Sequence, residues 1–207
     1  ETLRREGRVS NYLVTLRRAD GSQRQTLLSA IRIEMDGEDC VMSLGRDVTE
    51  MRRAEEELRS SRRLLETVID AIPMSIFAKD LNSNYIMLNR RMAEFFGSTK
   101  EERLNRHTSR LPVPNATRSK SIEDDEWVFG NQRTLDQPEV LLARSDGTPV
   151  PYHSTKIPLF DDAGKLMGLL GINRDITEEK RAQETLRNSE HRYRSLFQAA
   201  MDCILVI

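Results

Sequence analysis

Two stretches of this chain, GRDVTEMRRAEEELRSS (Gly45–Ser61) and NRDITEEKRAQETLRNS (Asn173–Ser189), lie 128 positions apart. Between Arg46–Arg59 and Arg174–Arg187, 9 of 14 positions are identical. A period this long does not suit a solenoid repeat, whose units run to about 50 residues; it suits tandem whole domains. The match continues downstream, where RRLLETVIDAIPMSIF (Arg62–Phe77) aligns with EHRYRSLFQAAMDCILV from Glu190. Upstream, LRRADGS (Leu16–Ser22) resembles LARSDGT (Leu142–Thr148) at a spacing of 126, so the loops between differ by two residues. The 207 residues hold one full period, with a tail before it and a head after it. The expected boundaries are 1–49 for the C-terminal part of a first unit, 50–61 for a linker helix and 62–178 for a complete unit. A second linker helix then spans 179–189, and 190–207 begins a third unit.

The repeated segment reads as a helix. Asp47 or Thr49 caps it, as Asp175 or Thr177 caps its copy, and Asp47-Val48-Thr49-Glu50 has capping-box spacing. No Pro or Gly falls between Thr49 and Ile72. Met51, Ala54, Leu58, Ser61, Leu65, Val68 and Ile72 follow the alternating three–four spacing of a heptad seam. The copy places Glu179, Ala182, Leu186, Ser189, Tyr193, Leu196 and Ala200 in the same seam. Such a seam points to a parallel coiled coil between two chains, with packing of the helix on its own domain as the alternative. It is short and carries polar residues, so it would not dimerise strongly by itself.

Inside the complete unit, Ser75–Asp80 and Asn84–Asn89 read as strands joined by a short turn. Arg90–Gly97 reads as a helix that stops at Gly97, and STKEE starts a further turn. RLPVPNATRS reads as loop, and a helix is expected from Ser121 to a stop at Gly130, with Asp124 and Asp125 near its positive end. Glu139–Ser145, Val150–Phe160 and Lys165–Asp175 follow as strands, the first two joined by DGTP and the last two by DDAG. Two hairpins among these strands require antiparallel pairing. The expectation is an α+β fold: a five-stranded antiparallel sheet with helices on one face, its units joined by amphipathic, coiled-coil-like helices. Residues 1–49 repeat the ending, as three strands with DG turns.

Composition narrows the function. The net charge is −1, so no basic field calls for nucleic acid. No apolar run approaches the roughly 20 residues that span a bilayer. Charged residues at 31% against 38% apolar residues suit helix-rich surfaces over a modest core. Cys40 and Cys203 are the two cysteines and share no metal-like spacing, which fits a reducing, cytoplasmic setting. The chain opens on ETLRREG rather than Met, and the expectation is a piece of a longer protein. No phosphate-binding loop and no nucleophile–base motif supports catalysis within this segment.

Taken together, IPMSIFAKDLNSNYIMLNRRMAEFFG and RSDGTPVPYHSTKIPLFDDAGKLMGLLGINRDITE resemble the opening and closing patterns of the PAS superfamily. Asp175-Ile176-Thr177 matches its Asp-Ile-Thr exit signature, and Asp47-Val48-Thr49 is the same signature with Val for Ile. The resemblance implies a cytoplasmic sensor from a bacterial histidine kinase, diguanylate cyclase or phosphodiesterase. Such sensors dimerise and pass a signal to a downstream output domain in the same chain. It implies signal transmission through Asp47, Thr49, Asp175 and Thr177. It also implies a small-molecule pocket between sheet and helices, with candidate lining residues Phe96, Trp127, Tyr152, Lys156 and Leu170 and polar candidates His107 and Arg110.

The cofactor is not fixed by the resemblance. Cysteinyl-flavin photochemistry requires a Cys that Ala71–Thr177 lacks, and the helix expected to bear a haem-binding His, SIEDDEWVFGN, has none. FAD stacked on Trp127 is an open alternative to Trp127 as core or lid. A small ligand or no ligand at all is favoured. Ligand-free dimerising spacers form the second functional class, and complementation between the first tail and the third head, as in domain swapping, is a further arrangement.

Overall fold

A computed structural model describes residues 2–204, with side chains up to 198 apart from those of Thr2 and Arg4. The chain divides into two compact units, Glu1–Leu65 and Glu66–Ile207. In the first, a short helix α1 (Thr2–Glu6) precedes three strands, β1 (Arg8–Arg17), β2 (Gln23–Met35) and β3 (Glu38–Asp47). They form an antiparallel sheet in chain order, turning at Gly21 and Gly37, whose positive φ values a side chain would resist. Helix α2 (Thr49–Ala71) follows, and the unit boundary falls inside it.

The second unit begins with β4 (Ser75–Asp80) and β5 (Tyr85–Leu88). Helices α3 (Arg90–Phe95) and α4 (Lys100–Arg103), a 3-10 turn at Thr108–Arg110 and α5 (Asn115–Asn131) come next. Strands β6 (Leu135–Ala143), β7 (Pro149–Phe160) and β8 (Leu166–Asp175) then lead into α6 (Thr177–Ile204). The sheet is antiparallel throughout, in the order β5-β4-β8-β7-β6. Its last strand in sequence therefore lies at its centre, and that strand feeds the exit helix.

The core follows strand parity. Val150, Tyr152, Ser154 and Lys156 of β7 are buried, as are Leu169, Gly171 and Asn173 of β8. Against them pack Phe77, Tyr85, Met92, Phe95, Phe96, Leu111, Val113 and Val128. Each such large side chain contributes about 1.5–3 kcal/mol by leaving water. Asn89 anchors the opening hairpin. Its Oδ1 accepts from the Ile76 and Met92 amides while its Nδ2 donates to the Ile69 and Met74 carbonyls, so one buried amide caps α3 and ties strand to helix.

Several expectations are corrected. The Pro-rich stretch is not all loop: α5 begins at Asn115, six residues before Ser121, with Pro114 at its N-cap, where a missing N–H costs nothing. It passes through Gly130 and ends at Gln132 in the left-handed conformation. Asp124 and Asp125 thus sit in the body of the helix and face the core. β6 starts at Leu135, four residues ahead of the expected Glu139. The seam residues Met51, Leu58, Leu65 and Val68 of α2 are exposed, as are Leu186, Tyr193 and Leu196 of α6. From Glu190 to Ile204 the chain continues α6; residues 205–207 of the expected third unit lie outside the described residues, as do the side chains of Ala200 and Cys203.

Two glycines let β8 lie at the sheet centre. A Cβ on Gly168 would meet the Lys79 carbonyl oxygen at 2.1 Å, and one on Gly171 would meet the Phe77 ring at 2.1 Å. Gly171→Ala is expected to destabilise the second unit by roughly 1–3 kcal/mol, read as a lower urea midpoint. An unchanged midpoint would show that the Phe77 ring is free to move aside.

Candidate functional site

The core of the second unit carries a charge cluster. Lys79 on β4 and Asp125 on α5 are fully buried, and Lys156 on β7 nearly so. Lys79 Nζ donates to Asp125 Oδ2 at 2.6 Å, and Lys156 Nζ donates to Asp125 Oδ1 at 2.6 Å. Ser121 takes a second donor of each ammonium: its Oγ accepts from Lys79 at 3.1 Å and its carbonyl from Lys156 at 2.9 Å. Asp124 stands 3.9 Å from Lys156 and is itself bonded by Lys120 and Gln137. The Lys79 ammonium also lies 4.8 Å from the Tyr85 ring centroid and 5.3 Å from that of Phe77.

Electrostatics follow from the two-to-one count. Burial pushes Lys79 down from 10.5 to about 8; Asp125 opposes this and the neighbouring Lys156 reinforces it. Burial acts to raise Asp125, but the two ammonium groups outweigh it and hold the carboxyl below its ordinary range. Burial also pushes the Tyr85 phenol up.

Beside the cluster lies a cavity of about 30 Å³. That is room for a water molecule rather than an organic ligand. Phe96 and Lys156 line it, together with Phe77, Tyr85, Asp124 and Arg118. Tyr152 belongs to the same core, its ring edge-on to Phe95 at 5.6 Å. The other four pocket candidates stand elsewhere. Leu170 is on the opposite face of β8, one residue out of phase with Leu169. Trp127 is 42% exposed, about 100° around α5 from fully buried Val128, so it is not core and does not line the cavity. His107 caps the 3-10 turn, where its Nδ1 accepts from the Ser109 amide, and Arg110 is exposed on that turn.

A chain of ring contacts crosses this core. Phe77 meets Tyr85 at 5.5 Å, Tyr85 meets Phe96 at 5.9 Å, Phe96 meets Phe95 at 5.3 Å and Phe95 meets Tyr152. Tyr152 is the register partner of Asp175, where β8 ends.

At that exit Asp175 Oδ1 accepts from the Thr177 amide at 2.9 Å and from its hydroxyl at 2.5 Å. Asp47 Oδ1 makes the same pair of contacts to Thr49, at 3.0 and 2.6 Å. These contacts span two residues rather than the three of a capping box, because each Asp is the last residue of its strand. Each carboxylate also faces an Arg from the DG turn, Arg18 near Asp47 and Arg144 near Asp175, both at 3.6 Å. Bonds from Thr49 lead the causes that lower the Asp47 carboxyl.

The two joints differ in one bond to the threonine. The Gln25 amide donates to Thr49 Oγ1 at 2.9 Å; at the corresponding place stands Pro151, which has no N–H to give Thr177. Both joints keep the neighbouring bond, Val48 to the Gln25 carbonyl and Ile176 to the Pro151 carbonyl. The second joint instead carries surface ion pairs, Arg174–Glu179 and Lys180–Glu139. Thr49 is buried, whereas Thr177 is half-buried.

Lys79 and the role of Asp125 were not identified from sequence. The signal for Lys79 is its parity with Phe77 in β4; that for Asp125 is its spacing of four from Ser121 on the helix.

No His lines the cavity, and among the described residues no group of three His, Cys, Asp or Glu is placed to hold a metal ion. No helix among the described residues is long and apolar enough to cross a membrane.

Lys79→Met isolates the buried amine. Between about pH 8 and 10.5 the unfolded chain keeps a proton that folded Lys79 has released, so the unfolded state binds more protons and stability rises with pH. Below pH 8 both states are protonated and the slope vanishes. The urea midpoint of the unsubstituted chain is expected to gain on that of Lys79→Met from pH 8 upward. A difference independent of pH would contradict the depressed amine.

The comparisons agree with this architecture. A family model described as "PAS fold" matches residues 69–181, and one described as "PAS domain" matches residues 1–50. The aerobic respiration control sensor protein ArcB of Escherichia coli is 32% identical over 125 residues, which is 60% of this chain and 16% of ArcB. The methanogenesis regulatory histidine kinase FilI of Methanothrix harundinacea is 29% identical over 127 residues, 61% of this chain and 14% of FilI. The chain thus spans under a fifth of these two relatives. Among solved structures, the Vibrio cholerae VqmA dimer aligns with a TM-score of 0.50 at 23% identity, over 55% of this chain and 50% of that one, which speaks to fold alone. With strand order, exit joint and family match in agreement, the chain belongs to the PAS family.

Proposed function

We propose that this chain is a sensory and relay segment of a larger cytoplasmic signalling protein, passing a change in the second unit's core through α6 to an output domain in the same chain, such as a histidine kinase. The observation that carries this reading is the joint built twice: strand, Asp-x-Thr contact, then a helix of 23 or 28 residues. A structural spacer does not need its helix tied by two bonds to the strand it leaves, which in the second unit is the central strand of the sheet. The named relatives, which include histidine kinases and a diguanylate cyclase, support the class of output without choosing its member. The segment itself relays and does not catalyse. The exposed seams of α2 and α6 support parallel pairing of two chains, the arrangement that lets a shift at the joint reach a dimeric output.

The small cavity favours a second reading, in which the unit binds no ligand and dimerises only. In the sensor reading the ligand enters by parting the rings around the cavity. Native mass spectrometry separates the two: a co-purifying mass supports the sensor, an empty dimer the spacer. In the full-length protein, Asp175→Ala is expected to leave the fold within about 2 kcal/mol, the cost of one cap, and to make output independent of signal. Asp175→Asn keeps an acceptor for Thr177 and should retain part of the response. Unchanged signalling by Asp175→Ala would contradict the relay.

A further inference from the structure

A second opening in this unit, distinct from the buried cavity, lies where the ring chain reaches the surface. It is a cleft of about 320 Å³ beside the exit joint. Arg91 and Glu94 of α3 stand on it, as do Arg144 of the DG turn and Asp175 at the end of β8; Phe95 and Tyr152 line it as well. Two cations and two anions thus border one small space, with aromatic surface beside them.

We propose that this cleft binds a small zwitterion of the α-amino-acid class. The charge count carries the choice. A simple anion would gain two guanidinium groups but meet two carboxylates, and a simple cation the reverse. A molecule carrying both charges satisfies both sets, and an α-amino acid is the smallest common class that does so.

The resident ion pairs are easily displaced. Arg91 reaches Glu94 at 3.3 Å and Arg144 reaches Asp175 at 3.6 Å, each through one nitrogen, with side chains 39–57% exposed. Exposed pairs of this kind contribute little; Arg144 also bonds the Tyr152 phenol and Arg90 faces Glu94 at 4.0 Å, and each guanidinium still has donors to spare. The ligand carboxylate takes the two forks, a stronger bidentate contact. Its ammonium faces Glu94 and Asp175 Oδ2, while Asp175 Oδ1 stays with Thr177. The ligand side chain lies against Phe95. Binding therefore draws Arg144 away from Asp175, at the joint that lacks the backbone bond its copy receives from Gln25. The binding claim stands by itself; only its effect on α6 rests on the relay proposed above.

The test is an amide-shift titration of the 207-residue chain with L-alanine. Acetate and ethylammonium serve as half-ligands, and sodium chloride holds the ionic strength constant. Saturable shifts are expected at Arg144, Asn173 and Asp175, with either half-ligand at least about tenfold weaker. Arg144→Gln and Arg91→Gln should each weaken binding by about tenfold or more, with the Leu169 and Phe77 amides unmoved as evidence of an intact core. Three results would overturn the proposal: no saturable shift in the millimolar range, acetate binding as tightly as alanine, or shifts centred on Met92 and Val113 around the inner cavity. Saturation at the cleft without any change in Thr177–Lys180 amide exchange would uphold the site and contradict the relay.

Discussion

One buried carboxylate holds this unit together. Asp125 reaches Lys79 on β4 with one oxygen and Lys156 on β7 with the other. Those strands flank β8 on either side, so a single helix residue clamps the sheet across its centre. Three charges in a dry core are costly to desolvate, and the cost is offset only when every donor and acceptor finds a partner. Ser121 supplies a second partner to each lysine, one from its side chain and one from its backbone, which ties α5 to both strands. A well-packed apolar core could be as stable, but would not set this helix orientation so narrowly.

The strand beneath the clamp is the one that leaves the domain. Gly168 and Gly171 let β8 lie close under β4 and the Phe77 ring, and six residues past Gly171 the chain enters α6 at Thr177. The ring chain from Phe77 to Tyr152 runs across the same strand and ends opposite Asp175. Core packing and exit joint are therefore parts of one contiguous structure. The two joints are chemically alike but unequal: the first has a backbone bond to its threonine that the second lacks, and the second adds surface ion pairs, which salt screens. A relay built on these parts would yield first at the second joint.

Much of this was legible because local chemistry and fold agree. The DG turns and the duplicated Asp-x-Thr set the hairpins of the sheet and its exits. The misses have physical causes. Pro114 sits at a helix start, where proline does no harm, so a Pro-rich stretch concealed the first turns of α5. Asp124-Asp125 looked like acids placed for a helix dipole because the true start lay further upstream. Leu170 fails by one residue of strand parity and Trp127 by one residue of helix rotation, and either error reverses a face. Lys79 was passed over because a lysine in a core strand depends on a partner 46 residues away, and its parity with Phe77 does not name that partner.

The measurement that reaches the centre of this account is amide hydrogen exchange in Lys156→Met. The substitution keeps an unbranched side chain one atom shorter and leaves Lys79 and Asp125 as a balanced pair, so the domain should remain folded. If the clamp governs the exit, exchange rises along Asn173–Ile176 of β8 and its joint and at Thr177–Lys180, with β5 and α3 unchanged. If exchange rises only in α5 and β7 around the lost contact, the clamp is local and the joint does not depend on it.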